Sequence, residues 1–162
     1  MENSSATNEE STWLIPSVFR IALVKLGSIS NRPEIDGVYD AAKIFREHIG
    51  DADREMCAVM MLNPDGRVIG LNIAHIGDAT SCPVSPKEIF KPAILCNAYA
   101  IVIAHNHPGL SARPSSADWR LTEALYRAGL LLDIELVDHL IIGEDETYSM
   151  KLDERWGWNE EE

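Results

Sequence analysis

Seven consecutive residues, AYAIVIA at positions 98–104, carry no charge and form a continuous apolar run. A strand with one solvated face alternates polar and apolar residues. An unbroken apolar run instead reads as a strand buried on both faces. A sheet buried on both faces needs a layer above and a layer below it, which narrows the architecture sharply.

The neighbouring segments supply those layers. VYDAAKIFREHI (38–49) places Val38, Ala41, Ala42, Phe45 and Ile49 at helical spacing, and Gly50 follows as a C-terminal stop. SPKEIFKPAILCN (85–97) reads as a helix with Ser85 as N-cap, Pro86 at the first position and Glu88 three residues after the cap. Pro92 is internal to it and can kink or shorten it. SADWRLTEALYRA (116–128) is a third helix, which Gly129 can end. VFRIALVKL (18–26) reads as a strand and NRPEIDG as a loop. MCAVMML (56–62) and RVIGLNIAHIG are strands joined by the tight-turn signature NPDG, hence a hairpin. IELVDHLIIG (134–143) is another strand, and TYSM a short last one. Strands and helices alternate, which predicts an α/β fold: a three-layer α/β/α sandwich with a mixed β-sheet.

The chain has 162 residues, of which 46% are hydrophobic, enough for one domain with a core. Residues 1–12 are polar, acidic and without periodicity, so they read as a disordered tail; the ordered domain is expected over 13–152, and 153–162 as an acidic C-terminal tail. No apolar run is long enough to span a bilayer, and the start lacks the basic and apolar regions of a signal peptide. The expected location is the cytoplasm. The net charge of −12 opposes binding to a phosphate backbone, so direct nucleic-acid binding by this chain alone is not expected. Cys57, Cys82 and Cys96 include no CxxC pair and are expected to be reduced, without a special role. A cysteine zinc finger is thereby removed, and so is a zinc nucleobase deaminase, which needs a P-C-x-x-C pair.

The apolar run leads into HNHPGLSARPSSAD, residues 105–118. Residues i and i+2 of an extended chain point the same way, so His105 and His107 present two imidazoles on one side. Asp118 follows in the first turn of the next helix, and its carboxylate can complete a three-ligand site. Catalytic zinc sites use three protein ligands and keep the fourth position open. A plainer reading stands beside this one. Ser115 and Asp118 have the S-x-x-D spacing of a helix cap, and Asp118 complements the helix dipole. The two readings share Ser115, since one hydroxyl can serve both.

The spacing H-x-H, seven residues, Ser, two residues, Asp resembles the signature of the JAB/MPN (JAMM) metalloprotease family, here as His105, His107, Ser115 and Asp118. AHNHP, PSSAD, VDHLIIG, REMCAVMMLNPDGRVIG and SPKEIFKPAIL look like its bacterial RadC branch, over about residues 13–152. The resemblance implies one Zn²⁺ per chain and hydrolysis of an amide or isopeptide bond by a metal-activated water. It implies a general acid/base glutamate well upstream of the histidines, at the start of the hairpin strand. Glu55 stands there. Glu88 is the competitor, but a capping box already accounts for it. Ser115 would stabilise the oxyanion or orient the water, with Ser116 as the adjacent alternative. The implied partner is a peptide or protein substrate, a ubiquitin-like conjugate included.

Two departures from the branch are visible. The second histidine opens HPGL where the branch often reads HPSG, and REMC stands for REHF, setting Cys57 near the proposed base. His139, in an apolar strand, reads as a buried, hydrogen-bonded histidine, with a role behind the metal ligands or in the substrate groove as the alternative. His48 and His75 read as surface or loop residues, and Trp119, Trp156 and Trp158 as packing residues. The competing functional reading is a protein-interaction or DNA-repair-associated module of the RadC type with little or no peptidase activity. The stretch before Trp13 is expected to be too short for the helix-hairpin-helix region of longer relatives.

Overall fold

The structure, a computed structural model, describes residues 33–78, 84–109 and 111–156. The strand expected over 18–26, the N-terminal tail, Cys82 and Trp158 lie outside the described residues. The described elements are helix α1 (Val38–Phe45), strands β1 (Met56–Leu62) and β2 (Val68–Ile76), helix α2 (Pro86–Leu95), strand β3 (Ala100–Asn106), helix α3 (Ser116–Leu132) and strands β4 (Glu135–Ile142) and β5 (Thr147–Ser149).

The strands form one mixed sheet in the order β2-β1-β3-β4-β5, with the apolar run at its centre. All seven residues of β3 are buried. β1 pairs antiparallel with both β2 and β3, β3 pairs parallel with β4 through the α3 crossover, and β5 folds back antiparallel on β4. Alternation along β1 and β3 splits the core into two layers. Ala58, Met60 and Leu62, with Ala100, Val102 and Ala104, meet Ala41, Ala42, Phe45 and Ile49 of the first helical segment. Cys57, Val59 and Met61, with Ile101 and Ile103, meet Ile89, Phe90 and Ala93 of α2 and Leu125 of α3. Helical layers therefore cover both faces, as expected from the sequence.

Several boundaries differ from those expected; α2, expected to 97, ends at Leu95. The helix expected over 38–49 is α-helical only to Phe45 and continues as a π-helical turn over Arg46–Gly50. β3 is set two residues later than expected: it includes His105 and Asn106, and Ala98 and Tyr99 precede it. The reason is pairing, since Cys57 of β1 and Ile141 of β4 both register with His105. Gly129 does not end α3. The helix runs on to Leu132 and stops at Asp133, whose left-handed φ of 55° turns the chain. Gly129 serves close approach instead: a Cβ there would stand 2.5 Å from the backbone oxygen of Ile134.

Past β5 the chain stays attached to the domain. Trp156 packs against the α2/α3 layer, and its amide donates to Asp153 at 2.9 Å. Arg46 holds the β4–β5 turn by donating to the carbonyls of Gly143, Glu144 and Glu146 at 2.8–3.0 Å. Glu146 in turn accepts from the Ser111 hydroxyl at 2.8 Å and the Ala112 amide at 3.0 Å. The polar segment between β3 and α3 is thus tied to the sheet at its midpoint.

Candidate metal centre

His105 lies on the same face of β3 as Ile101 and Ile103, the face covered by α3. α3 begins at Ser116, and its N-terminal turn comes down over the end of β3. The cap expected from S-x-x-D forms in both directions. The Ser115 hydroxyl accepts from the Asp118 amide at 3.2 Å, and the Ser115 amide donates to Asp118 Oδ2 at 2.6 Å. With Oδ2 occupied by the cap, Oδ1 is the oxygen that faces His105 Nε2, at 3.1 Å. His105 Nε2 and His107 Nε2 are 3.0 Å apart. The cap reading of Asp118 is realised through Oδ2, and Oδ1 is left facing the His105 imidazole.

His105, His107 and Asp118 each offer one ligand atom, and these atoms lie within 4.8 Å of one another. Ligands at zinc distances in a tetrahedral site stand about 3.3 Å apart. Two of the spacings, 3.0 and 3.1 Å, are near that value, whereas His107 Nε2 stands 3.9 Å from Asp118 Oδ2, so closure on one cation would draw that edge in. Burial by itself would raise the Asp118 carboxyl, but the hydrogen bond and charge of His105 and the Ser115 bonds hold it well below the usual aspartate value. It is therefore ionised, the form that binds metal. His107 Nδ1 lies 3.0 Å from the carbonyl of Ser111, which can only accept. Nδ1 of His107 is then the protonated nitrogen, leaving the Nε2 lone pair for an ion. The group can hold a metal ion.

Glu55 ends the loop before β1. Its amide donates to Asp78 and its carbonyl accepts from Gly77, both at 2.8 Å, so the residue extends the hairpin backbone. Glu55 is two residues before Cys57, and Cys57 registers with His105, so the Glu55 side chain starts on the face that carries the histidines. Burial pushes its carboxyl above the ordinary glutamate value, against the pull of His105 and His107, whose charges it feels. Glu88 is elsewhere: its carboxylate accepts from the Ser85 amide at 2.9 Å and the Ser85 hydroxyl at 3.0 Å, as a capping residue of α2. Ser115 and Ser116 are both exposed at the α3 start. Ser115 Oγ accepts from the Asp118 amide as the cap of α3.

His139 is fully buried in β4, and its Nε2 lies 2.9 Å from His105 Nδ1. Burial, followed by the neighbouring charge of His105, holds this imidazole well below the ordinary histidine value, hence neutral. His139 is a buried, hydrogen-bonded histidine, and it stands directly behind His105. His48 is exposed in the π-helical turn, and His75 is half-buried in β2 rather than in a loop. Cys57 is buried among apolar residues of the core. A cavity of about 450 Å³ between α2 and α3, lined by residues including Phe90, Ile94 and Leu132, shares no residue with the centre.

The sequence reading missed two residues. Asn106, on the opposite face of β3 from its flanking histidines, accepts from the Met56 amide at 2.7 Å and donates to the Arg54 carbonyl at 3.0 Å. It therefore grips the chain on both sides of Glu55. Thr122, one turn past Asp118 in α3, lies 2.6 Å from His139 Nδ1. A polar residue inside an apolar strand end was the signal for Asn106. Thr122 left none beyond helical spacing from Asp118.

The family model described as a RadC-like JAB domain matches residues 35–156. A UPF0758 protein of Chlorobaculum parvum is 36% identical over 118 residues, covering 73% of this chain and 53% of that protein. Another from Rubrobacter xylanophilus is 39% identical over 120 residues, covering 74% and 52%, and one from Carboxydothermus hydrogenoformans is 39% identical over 112 residues, covering 69% and 50%. The chain thus spans about half the length of the curated relatives it matches. Among the described residues, no helix is long and apolar enough to cross a membrane.

Proposed function

We propose, from the premise that this chain belongs to the RadC-like JAB domain family, that it is a zinc-dependent peptidase or isopeptidase acting in the cytoplasm. His105, His107 and Asp118 would hold the ion. Zinc bound there supplies Lewis acidity, which can lower the pKa of a water from 15.7 to about 7. Glu55 takes a proton from the attacking water and passes it to the leaving amine. Its raised basicity suits that exchange, because a base is most useful when its pKa lies near the working pH. The Ser115 hydroxyl donates to the carbonyl oxygen as charge develops on it. The substrate class is a peptide or protein amide, a ubiquitin-like conjugate included.

One observation carries this reading: two imidazole nitrogens and one carboxylate oxygen converge beside a glutamate held on the same face of the sheet. The test is elemental analysis of protein purified without chelator, joined to hydrolysis of peptide and isopeptide-linked substrates. About one zinc per chain and hydrolysis abolished by Glu55→Gln are expected. Failure to bind zinc, even on titration, would overturn the centre. Zinc bound with no hydrolysis of any such substrate would favour the interaction or DNA-repair-associated module instead.

A further inference from the structure

Behind His105, a line of polar groups runs back into the protein. His105 Nδ1 is 2.9 Å from His139 Nε2, His139 Nδ1 is 2.6 Å from Thr122 Oγ1, and Thr122 Oγ1 is 2.6 Å from the backbone carbonyl of Asp118. His139 and Thr122 are both fully buried. Neither touches the space where a substrate would lie, and neither is a ligand.

The end of the line fixes the direction of every bond. A backbone carbonyl only accepts. The Thr122 hydroxyl has one hydrogen; Met150 Sδ, at 3.2 Å, is a weak acceptor for it, whereas the 2.6 Å contact with the carbonyl oxygen is bonding only when the hydroxyl donates there. The hydroxyl oxygen is then the acceptor for His139 Nδ1, which must carry a proton. A neutral imidazole has one N–H, so His139 Nε2 is left with a lone pair and accepts from His105 Nδ1. His105 is thereby protonated on Nδ1, and its Nε2 is the nitrogen that faces His107 and Asp118.

We infer that Thr122 and His139 are positioning residues that set the tautomer and ring orientation of His105 for metal binding, with the Asp118 carbonyl as the fixed origin of the relay. Asp118 then acts twice: its carboxylate is a ligand and its carbonyl sets the state of another ligand. Outer partners of this kind orient ligating histidines and raise their basicity. The inference rests on the metal-centre reading above.

The experiment joins long-range ¹H–¹⁵N spectra of the histidines with zinc competition titrations on the wild type, Thr122→Val and Thr122→Ser. His139 is expected as the Nδ1–H tautomer in the wild type, with or without zinc. Thr122→Val, which keeps the shape but removes the acceptor, should weaken zinc binding roughly 10–100-fold. Thr122→Ser should restore it. His139 found as the Nε2–H tautomer, or a folded Thr122→Val with unchanged zinc affinity, would overturn the relay. If Thr122→Val does not fold, the wild-type tautomer decides alone. A wild type that takes up no zinc sinks the metal centre, while the His139 tautomer in the metal-free protein still judges the relay.

Discussion

The amide side chain of Asn106 accepts from the backbone of Met56 at 2.7 Å, one position beyond the last registered pair of β1 and β3. Its amino group donates to Arg54 at 3.0 Å. Asn106 thus continues the sheet's hydrogen bonding with a side chain and fixes the segment that carries Glu55. Asn106→Ala leaves a donor and an acceptor without partners and is expected to cost about 2–3 kcal/mol. Zinc uptake should persist, because both histidines remain, while hydrolysis falls. Denaturant unfolding, zinc titration and rate measurements on one preparation check all three.

Asp118→Asn and Asp118→Ala separate the two jobs of Asp118. Asn keeps a side-chain oxygen for the cap but loses the ligand charge, whereas Ala loses both. Both variants should bind zinc more than about 100-fold more weakly, exceeding the usual loss for an outer partner. Only Ala should add a capping loss of about 1 kcal/mol. Competition titrations and thermal unfolding of the metal-free proteins distinguish the cases.

Glu55→Gln preserves shape and removes the base. Zinc affinity should change little, and hydrolysis should fall by roughly 10²–10⁴-fold, the usual worth of a positioned acid or base. A variant as active as the wild type on a validated substrate would remove Glu55 from the role assigned to it.

Gly129→Ala tests the close approach of α3 to the start of β4. The added Cβ would stand 2.5 Å from the Ile134 oxygen, a backbone atom with little freedom to move. The usual helix gain of about 1 kcal/mol for this exchange should be outweighed by overpacking, for a net loss of roughly 1–3 kcal/mol. Chemical unfolding gives the sign directly.

Asp138 gives a pH dependence separate from the candidate metal centre. Burial pushes its carboxyl above the ordinary aspartate value, against its bonds from Ser149, Lys151 and His139. The native state therefore holds this proton more tightly than the unfolded chain. Its stabilising contribution is full below the unfolded value near 3.9 and is lost as pH rises through the higher native value. The stability of the wild type relative to Asp138→Asn should accordingly decline as pH rises from about 4, by about 1.4 kcal/mol per tenfold shift in the acid constant. Urea unfolding at several pH values measures that difference.

Much of the fold was written locally. The apolar run at 98–104 announced a covered strand, and alternating helix and strand periods gave the layers. The helix caps at Ser85 and Ser115 were readable from residue type and spacing alone. Strand ends were less legible, because β3 extends to His105 and Asn106 through pairing with β1 and β4 rather than through apolar character. Gly129 was misread as a stop for a related reason: the same residue type suits a helix end and a tight approach, and only the neighbouring strand distinguishes them.

Local spacing was enough to bring together a group that could hold a metal ion, since His105 and His107 share a face by strand period and Asp118 follows at a helix start. The surroundings of that group come from long-range packing. Asn106 meets Met56 across 50 positions, His105 meets His139 across 34, and His139 meets Thr122 across 17. Spacing along a chain encodes which side chains share a strand face or a helix turn. It does not encode the register between strands or the height of a helix over a sheet, and those two quantities place Glu55 beside the ligands and His139 behind them.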